Sequence, residues 1–236
     1  MDLMVLSADG PWAQVTPEAE RVAQEHHLGK LREIFAIQAG LSRKKVNRVY
    51  EFEAGLVRQN HGKAPEAFRW DQLATVHERV TNRYNNGTYD ATYFTYTLTL
   101  ANGASTKLDG FYRDPKLHRN PGFAISANPR GRQYADLGRA VANYVTRAKL
   151  PGALESLERG ESLTFGDVTI DRNGVRRGRH AAPWVSIQEV KVEKGWITIK
   201  QEGKFRPLHK QEVAGIPNFS LFITLVEKLR EGLRVG

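Results

Sequence analysis

Hydrophobic positions along the chain fall mostly into short alternating runs, and two stretches break that rhythm in the same way. RWDQLATV, Arg69 to Val76, spaces Trp70, Leu73 and Val76 three residues apart. PWVSIQEVKV, Pro183 to Val192, does the same with Trp184, Ile187 and Val190 before Val192 resumes alternation. This spacing matches neither a strand's period of two nor a sustained helix. A turn or bulge between tryptophan and aliphatic residue brings both inward before a strand continues.

The likeness extends upstream. VYEFEAGLVR lies on VTIDRNGVRR, with Val49 on Val168, Gly55 on Gly174 and Leu56 on Val175. Each copy therefore reads as strand, turn, strand, and Asn173-Gly174 is expected to supply the positive-φ pair of a tight hairpin. Downstream, Phe94, Tyr96, Leu98 and Leu100 alternate with Thr95, Thr97 and Thr99, and Asn86-Gly87, Asn102-Gly103 and Lys194-Gly195 mark turns. Each copy ends in a predicted helix. Tyr134, Leu137, Val141, Tyr144, Val145 and Ala148 form one stripe; Leu221, Phe222, Leu225, Val226 and Leu229 form the other, with Asn218 expected as its N-cap. Burying that second stripe is worth about 8–15 kcal/mol of gross transfer free energy. Thr16-Pro17 predicts a further short helix that Gly29 ends.

The pattern gives a plan of strands then helix, twice: an acidic leader with a short helix over 1–28, one domain over 29–150, a linker over 151–160 at the Pro151-Gly152 break, and a second domain over 161–236. Charge follows these divisions. The leader holds one basic and five acidic residues, among them Asp2, Asp9, Glu18 and Glu25, whereas 29–150 holds 20 basic and 10 acidic residues. The chain as a whole carries +9, a balance that attracts anionic partners without specifying them. Its 236 residues include no cysteine, which excludes disulfides and thiolate metal sites. No apolar run reaches the roughly 18 residues of a membrane span, and the first residues carry no basic stretch of a signal peptide, so a cytoplasmic location is expected.

Candidate chemistry is sparse. His77-Glu78-Arg79-Val80-Thr81 begins like a zincin helix, but Thr81 stands where the second ligand belongs, and a surface strand end is expected instead. His26-His27 reads as a solvated helix end, and Asn86-Gly87-Thr88 as a turn rather than a glycosylation acceptor. No phosphate-loop, nucleophile-elbow or dinucleotide fingerprint occurs, and no catalytic residue, cofactor or metal is expected. Three basic clusters remain: Arg172, Arg176, Arg177, Arg179 and His180 on the first hairpin of the second copy; Arg43, Lys44, Lys45 and Arg48 before the equivalent hairpin of the first; and Arg113, Lys116, His118 and Arg119 in a loop. The tyrosines follow strand alternation as core residues, which argues against a nucleic-acid stacking platform.

Several antiparallel strands closed by one C-terminal helix resemble the pleckstrin-homology-like plan. The segments LGKLREIF (28–35), AGLVR (54–58), FRWDQLATV (68–76), LTFGDVTIDRNGV (163–175), PWVSIQEVKVEKGWITI (183–199) and IPNFSLFITLVEKL (216–229) are similar to an uncharacterised actinobacterial family with two such domains in tandem. The resemblance implies an α+β fold of two tandem pleckstrin-homology-like domains, each an antiparallel sheet or partial barrel closed by a helix. It implies no activity. The function expected is non-catalytic binding or scaffolding on a protein or peptide partner, through the sheet edges and the helix margin. The alternative is peripheral binding of anionic membrane lipid through the basic hairpin loops; in phosphoinositide-binding relatives such residues grip the headgroup, and Arg177-Gly178-Arg179 is similar to that arrangement.

Overall fold

A computed structural model of the chain describes residues 4–6, 12–38, 45–117 and 128–232. Arg43, Lys44, His118, Arg119, Asp2 and Asp9 lie outside them. The chain divides into two units, one of residues 1–74 and 80–141, the other of residues 75–79 and 142–236.

The first unit begins with α1 (Pro17–Glu25), whose N-cap Thr16 accepts from the Ala19 amide through Oγ1 at 3.2 Å. Four antiparallel strands follow in sequential order: β1 (Leu31–Gln38), β2 (Val46–Phe52), β3 (Gly55–Gln59) and β4 (Glu66–Arg69). A single 3-10 turn, Trp70–Gln72, leads into β5 (Leu73–Asn85), β6 (Thr88–Leu100) and β7 (Ser105–Tyr112), a second sheet in that order. The helix α2 (Pro129–Glu158) comes next. Its first half packs inward: the Tyr134 ring lies 5.0 Å from Phe35 on the first sheet and 5.8 Å from Phe94 on the second.

The second unit repeats the order. β8 (Leu163–Phe165), β9 (Val168–Ile170), β10 (Gly174–Arg177) and β11 (His180–Pro183) form a four-stranded sheet. A 3-10 turn, Trp184–Ser186, leads to the three-stranded sheet of β12 (Ile187–Glu193), β13 (Trp196–Gln201) and β14 (His209–Glu212), and α3 (Phe219–Gly232) closes the unit. Leu221, Phe222, Leu225 and Val226 of α3 pack with Phe165, Ile170, Trp184 and Ile199 in one core.

The repeated phrase now has a geometry. In both copies the tryptophan opens a 3-10 turn and is buried, and the strand after it starts at Leu73 or Ile187. The Trp70 amide donates to Ala54 O and the Trp184 amide to Asn173 O, each at 3.0 Å, so each acceptor directly precedes the aligned glycine. Gly55 pairs with Arg69 and Gly174 with Pro183 in the same register. The glycines are required by close approach rather than by turning: an added Cβ would lie 2.6 Å from Phe68 O at Gly55 and 2.3 Å from Ala182 O at Gly174. The positive-φ pair expected at Asn173-Gly174 is therefore not used. The Asp171 carboxylate makes that turn instead, accepting from the Asn173 and Gly174 amides at 2.7 and 3.0 Å. Asn86-Gly87 and Lys194-Gly195 do supply positive-φ pairs, at 48° and 75° and at 51° and 77°.

Three further expectations are corrected. The break at Pro151-Gly152 is absent, because α2 runs through Pro151 to Glu158 and buries Leu157 in the second core. On α2, Tyr134, Leu137, Val141 and Val145 are buried, whereas Tyr144 and Ala148 face solvent. Asn218 does stand at the N-cap position, its carbonyl accepting from the Phe222 amide at 3.0 Å, and it is also a partner of β5. Its Oδ1 accepts from the Val76 amide at 2.9 Å, its own amide donates to Val76 O at 2.8 Å, and its φ of 52° turns the chain into α3. Glu78 takes the side-chain capping role, with Oε1 accepting from the Ser220 amide and hydroxyl at 3.3 and 2.8 Å. His77 and Arg79 complete the segment, pairing with Ala214 O at 3.1 Å and with Glu212 at 2.7 Å. Residues 75–79 are thus an integral strand segment of the second unit, not a surface strand end.

Candidate partner-binding surface

Alternation along β8–β11 sends Phe165, Val168, Ile170, Val175 and Ala182 into the core and Thr164, Thr169, Arg176 and Ala181 outward. A groove of about 350 Å³ opens on this outer face, bounded by Ser162, Asp171, Asn173, Arg176, Ala181 and Pro183. The Thr164 and Thr169 hydroxyls are 3.1 Å apart across the strand pair. The Trp184 indole N–H donates to Asp171 O at 2.9 Å and fixes the turn at one end of the groove.

The structure separates the basic cluster of this copy. Arg172 sits in the β9–β10 turn, whereas Arg179 and His180 sit at the β10–β11 turn, at the other end of β10. Arg177 pairs with His180 across a two-residue turn, in which Gly178 takes φ 54°. Adjacent strand residues point to opposite faces, so Arg176 faces the groove while Arg177 shares the side of Val175. All five side chains are exposed, and none takes part in an ion pair among the described residues. The clusters of the two copies are not equivalent. Lys45 directly precedes β2, which corresponds to β9, and Arg48 lies within β2, paired with Ala36 of β1 and Gln59 of β3. Arg48 is half-buried with its Nε shielded from solvent and unpaired, and Arg113 is held by Asp90 at 3.8 Å.

Sequence reasoning missed His209. It is buried on β14, and neither ring nitrogen has a hydrogen-bond partner; Gln211 Oε1, two residues on, is also unpaired. Desolvation holds the His209 pKa below its ordinary value, the Arg177 charge lowers it further, and Asp167 opposes both. In the first unit, burial raises the Tyr134 hydroxyl pKa far above its usual range, and desolvation raises Asp109 and Glu51. The strand that holds it, His209 to Glu212, is polar at every position, so no apolar alternation marks His209 as buried. Among the described residues no group of three or more His, Asp or Glu side chains is placed to hold a metal ion, and no helix is long and apolar enough to cross a membrane.

Two sheet-and-helix units, one bearing an open groove beside Arg176, define an α+β chain. Residues 115–234, just over half of the chain, match a Family of unknown function (DUF6585), and the chain belongs to that family. Comparison with curated proteins and with solved structures gave no match.

Proposed function

We propose that the chain is a non-catalytic binding or scaffold protein built of two tandem pleckstrin-homology-like units, acting on a protein or peptide partner. Four strands, a tryptophan-led 3-10 turn, three strands and a helix, twice in the same order, support the fold reading. The observation that carries the functional reading is the open groove of the second unit, lined by Arg176, which has no ion-pair partner among the described residues. Unpaired exposed cations beside a concave face favour an acidic counterpart. The test is cross-linking and mass spectrometry of the complex formed in the source cells by the tagged full chain. Cross-links should fall on β8–β11, and the partner should be lost when Arg176, Arg177 and Arg179 are all changed to Glu. A partner retained by the triple variant contradicts the reading.

The alternative is binding of anionic lipid by the β10–β11 turn, favoured by the exposure of Arg179 in the two-residue loop and of Arg177 and His180 on either side of it. Each cation near such a surface contributes about 1 kcal/mol, so the triple reversal should weaken sedimentation with phosphatidylserine vesicles roughly a hundredfold. Absence of wild-type sedimentation removes this alternative.

A further inference from the structure

Resting on the partner-binding reading of the second unit, we propose that the outer face of β8–β11 seats an acidic helix of a protein partner, laid on it as α1 is laid on β1–β4.

The two registers allow the faces to be compared residue by residue. Tyr50 pairs with Val57 in the first sheet and Thr169 with Arg176 in the second, while Ile34 and Ala67 stand where Thr164 and Ala181 do. The first face is apolar and covered. Ala19, Val22 and Ala23 of α1, with Leu28, pack on Tyr50, Phe52 and Val57. A Cβ added to Gly55 would lie 2.8 Å from Leu28 Cδ2, whereas the nearest atoms at Gly174 all belong to the Ala182 and Pro183 backbone. Among the described residues nothing covers the second face, and Thr164, Arg176 and Ala181 are exposed.

An antiparallel sheet can leave one face in water. What distinguishes this one is the combination of a helix on the same face of the other copy, a groove, and charge without a counterion. Arg176 replaces Val57 within that face, and neither it nor Arg172 has an ion-pair partner among the described residues. The one carboxylate at the groove, Asp171, is engaged by the Asn173 and Gly174 amides. A carboxylate arriving on a helix would meet a guanidinium with no internal competitor. The small residues Gly174 and Ala181 leave room for close approach of a helix. A helix seated here is held through Arg176 rather than by the end anchors that hold α1. Gln59, which accepts from the Thr16 hydroxyl at 3.0 Å, and Arg69, which donates to His26 O at 2.7 Å, hold the two ends of α1. Gly178 and Pro183 stand at those places in the second sheet.

The test uses the full chain and two stapled helical peptides of residues 15–28, one carrying Val22→Glu and the other Val22→Lys. The Glu peptide should bind and shift the amide resonances of Thr164, Thr169, Arg176 and Ala181. Arg176→Glu, an exposed change that leaves the melting curve unaltered, should weaken that peptide about tenfold and make the Lys peptide the tighter of the two. Failure of the Glu peptide to bind, shifts mapping elsewhere, or an unchanged preference in Arg176→Glu would each overturn the proposal. So would phosphatidylserine vesicles shifting these amides while neither peptide does. A cellular partner lost on the triple reversal but kept by Arg176→Glu alone would overturn the helix seat and leave the binding reading standing.

Discussion

Glu78 and Ser220 meet across 142 residues of chain, and the carboxylate accepts from both the amide and the hydroxyl of the serine at the start of α3. It does what a local capping residue does at most helix N-termini, satisfying an amide that has no partner within the helix and placing negative charge at the positive end of the dipole. Glu78→Ala should therefore cost about 0.5–2 kcal/mol, measured by urea unfolding. Ser220→Ala in the same background should add little, because both changes remove one interaction.

Acidification should weaken the second unit through His209. Its folded pKa lies below the ordinary value, so the unfolded state binds the proton more readily. The stabilising contribution is present above the unfolded pKa of about 6.5 and is lost as pH falls through the folded value. Urea midpoints measured at pH 7.5 and 5.5 should fall further for the wild type than for His209→Leu. The carboxylates titrate in both proteins and cancel in the difference.

Gly174→Ala and Gly55→Ala should both destabilise, each by about 1–3 kcal/mol, because the new methyl meets a strand backbone that cannot withdraw. Equal behaviour of the two is the energetic signature of the repeat. A neutral Gly174→Ala would show that the close approach at β10–β11 is not a constraint.

A third glycine sits under an aromatic ring. A Cβ at Gly138 of α2 would come within 2.1 Å of Tyr96 Cδ2. Helix propensity alone favours Gly138→Ala by about 1 kcal/mol, and the overlap should reverse that sign by about 1–3 kcal/mol. Thermal unfolding of Gly138→Ala, with Tyr96→Leu to restore space, separates the two effects.

The repeat was legible because its carriers are local. A tryptophan that must turn inward and an aliphatic residue three positions on leave a mark in the pattern, as do Asn86-Gly87 and Lys194-Gly195. What could not be read depends on distant partners. Asn173-Gly174 looks like a turn pair, yet Asp171 makes the turn and the glycine serves a neighbouring strand. Pro151 looks like a boundary, but its helix continues because Leu150, Leu154 and Leu157 reach the second core. The basic cluster was legible as composition and not as a surface, since strand alternation sends Arg176 and Arg177 to opposite faces.

Residues 75–79 carry a consequence for inheritance. Any single cut of the gene between 80 and 141 would strip the second copy of the Val76 backbone that Asn218 binds and of the carboxylate on Ser220. A fragment begun at residue 115, where the family match starts, has the same deficiency. The second copy is therefore not a portable cassette. Moved into another protein without residues 75–79, it would leave Asn218 without its Val76 partner and the start of α3 without its carboxylate cap.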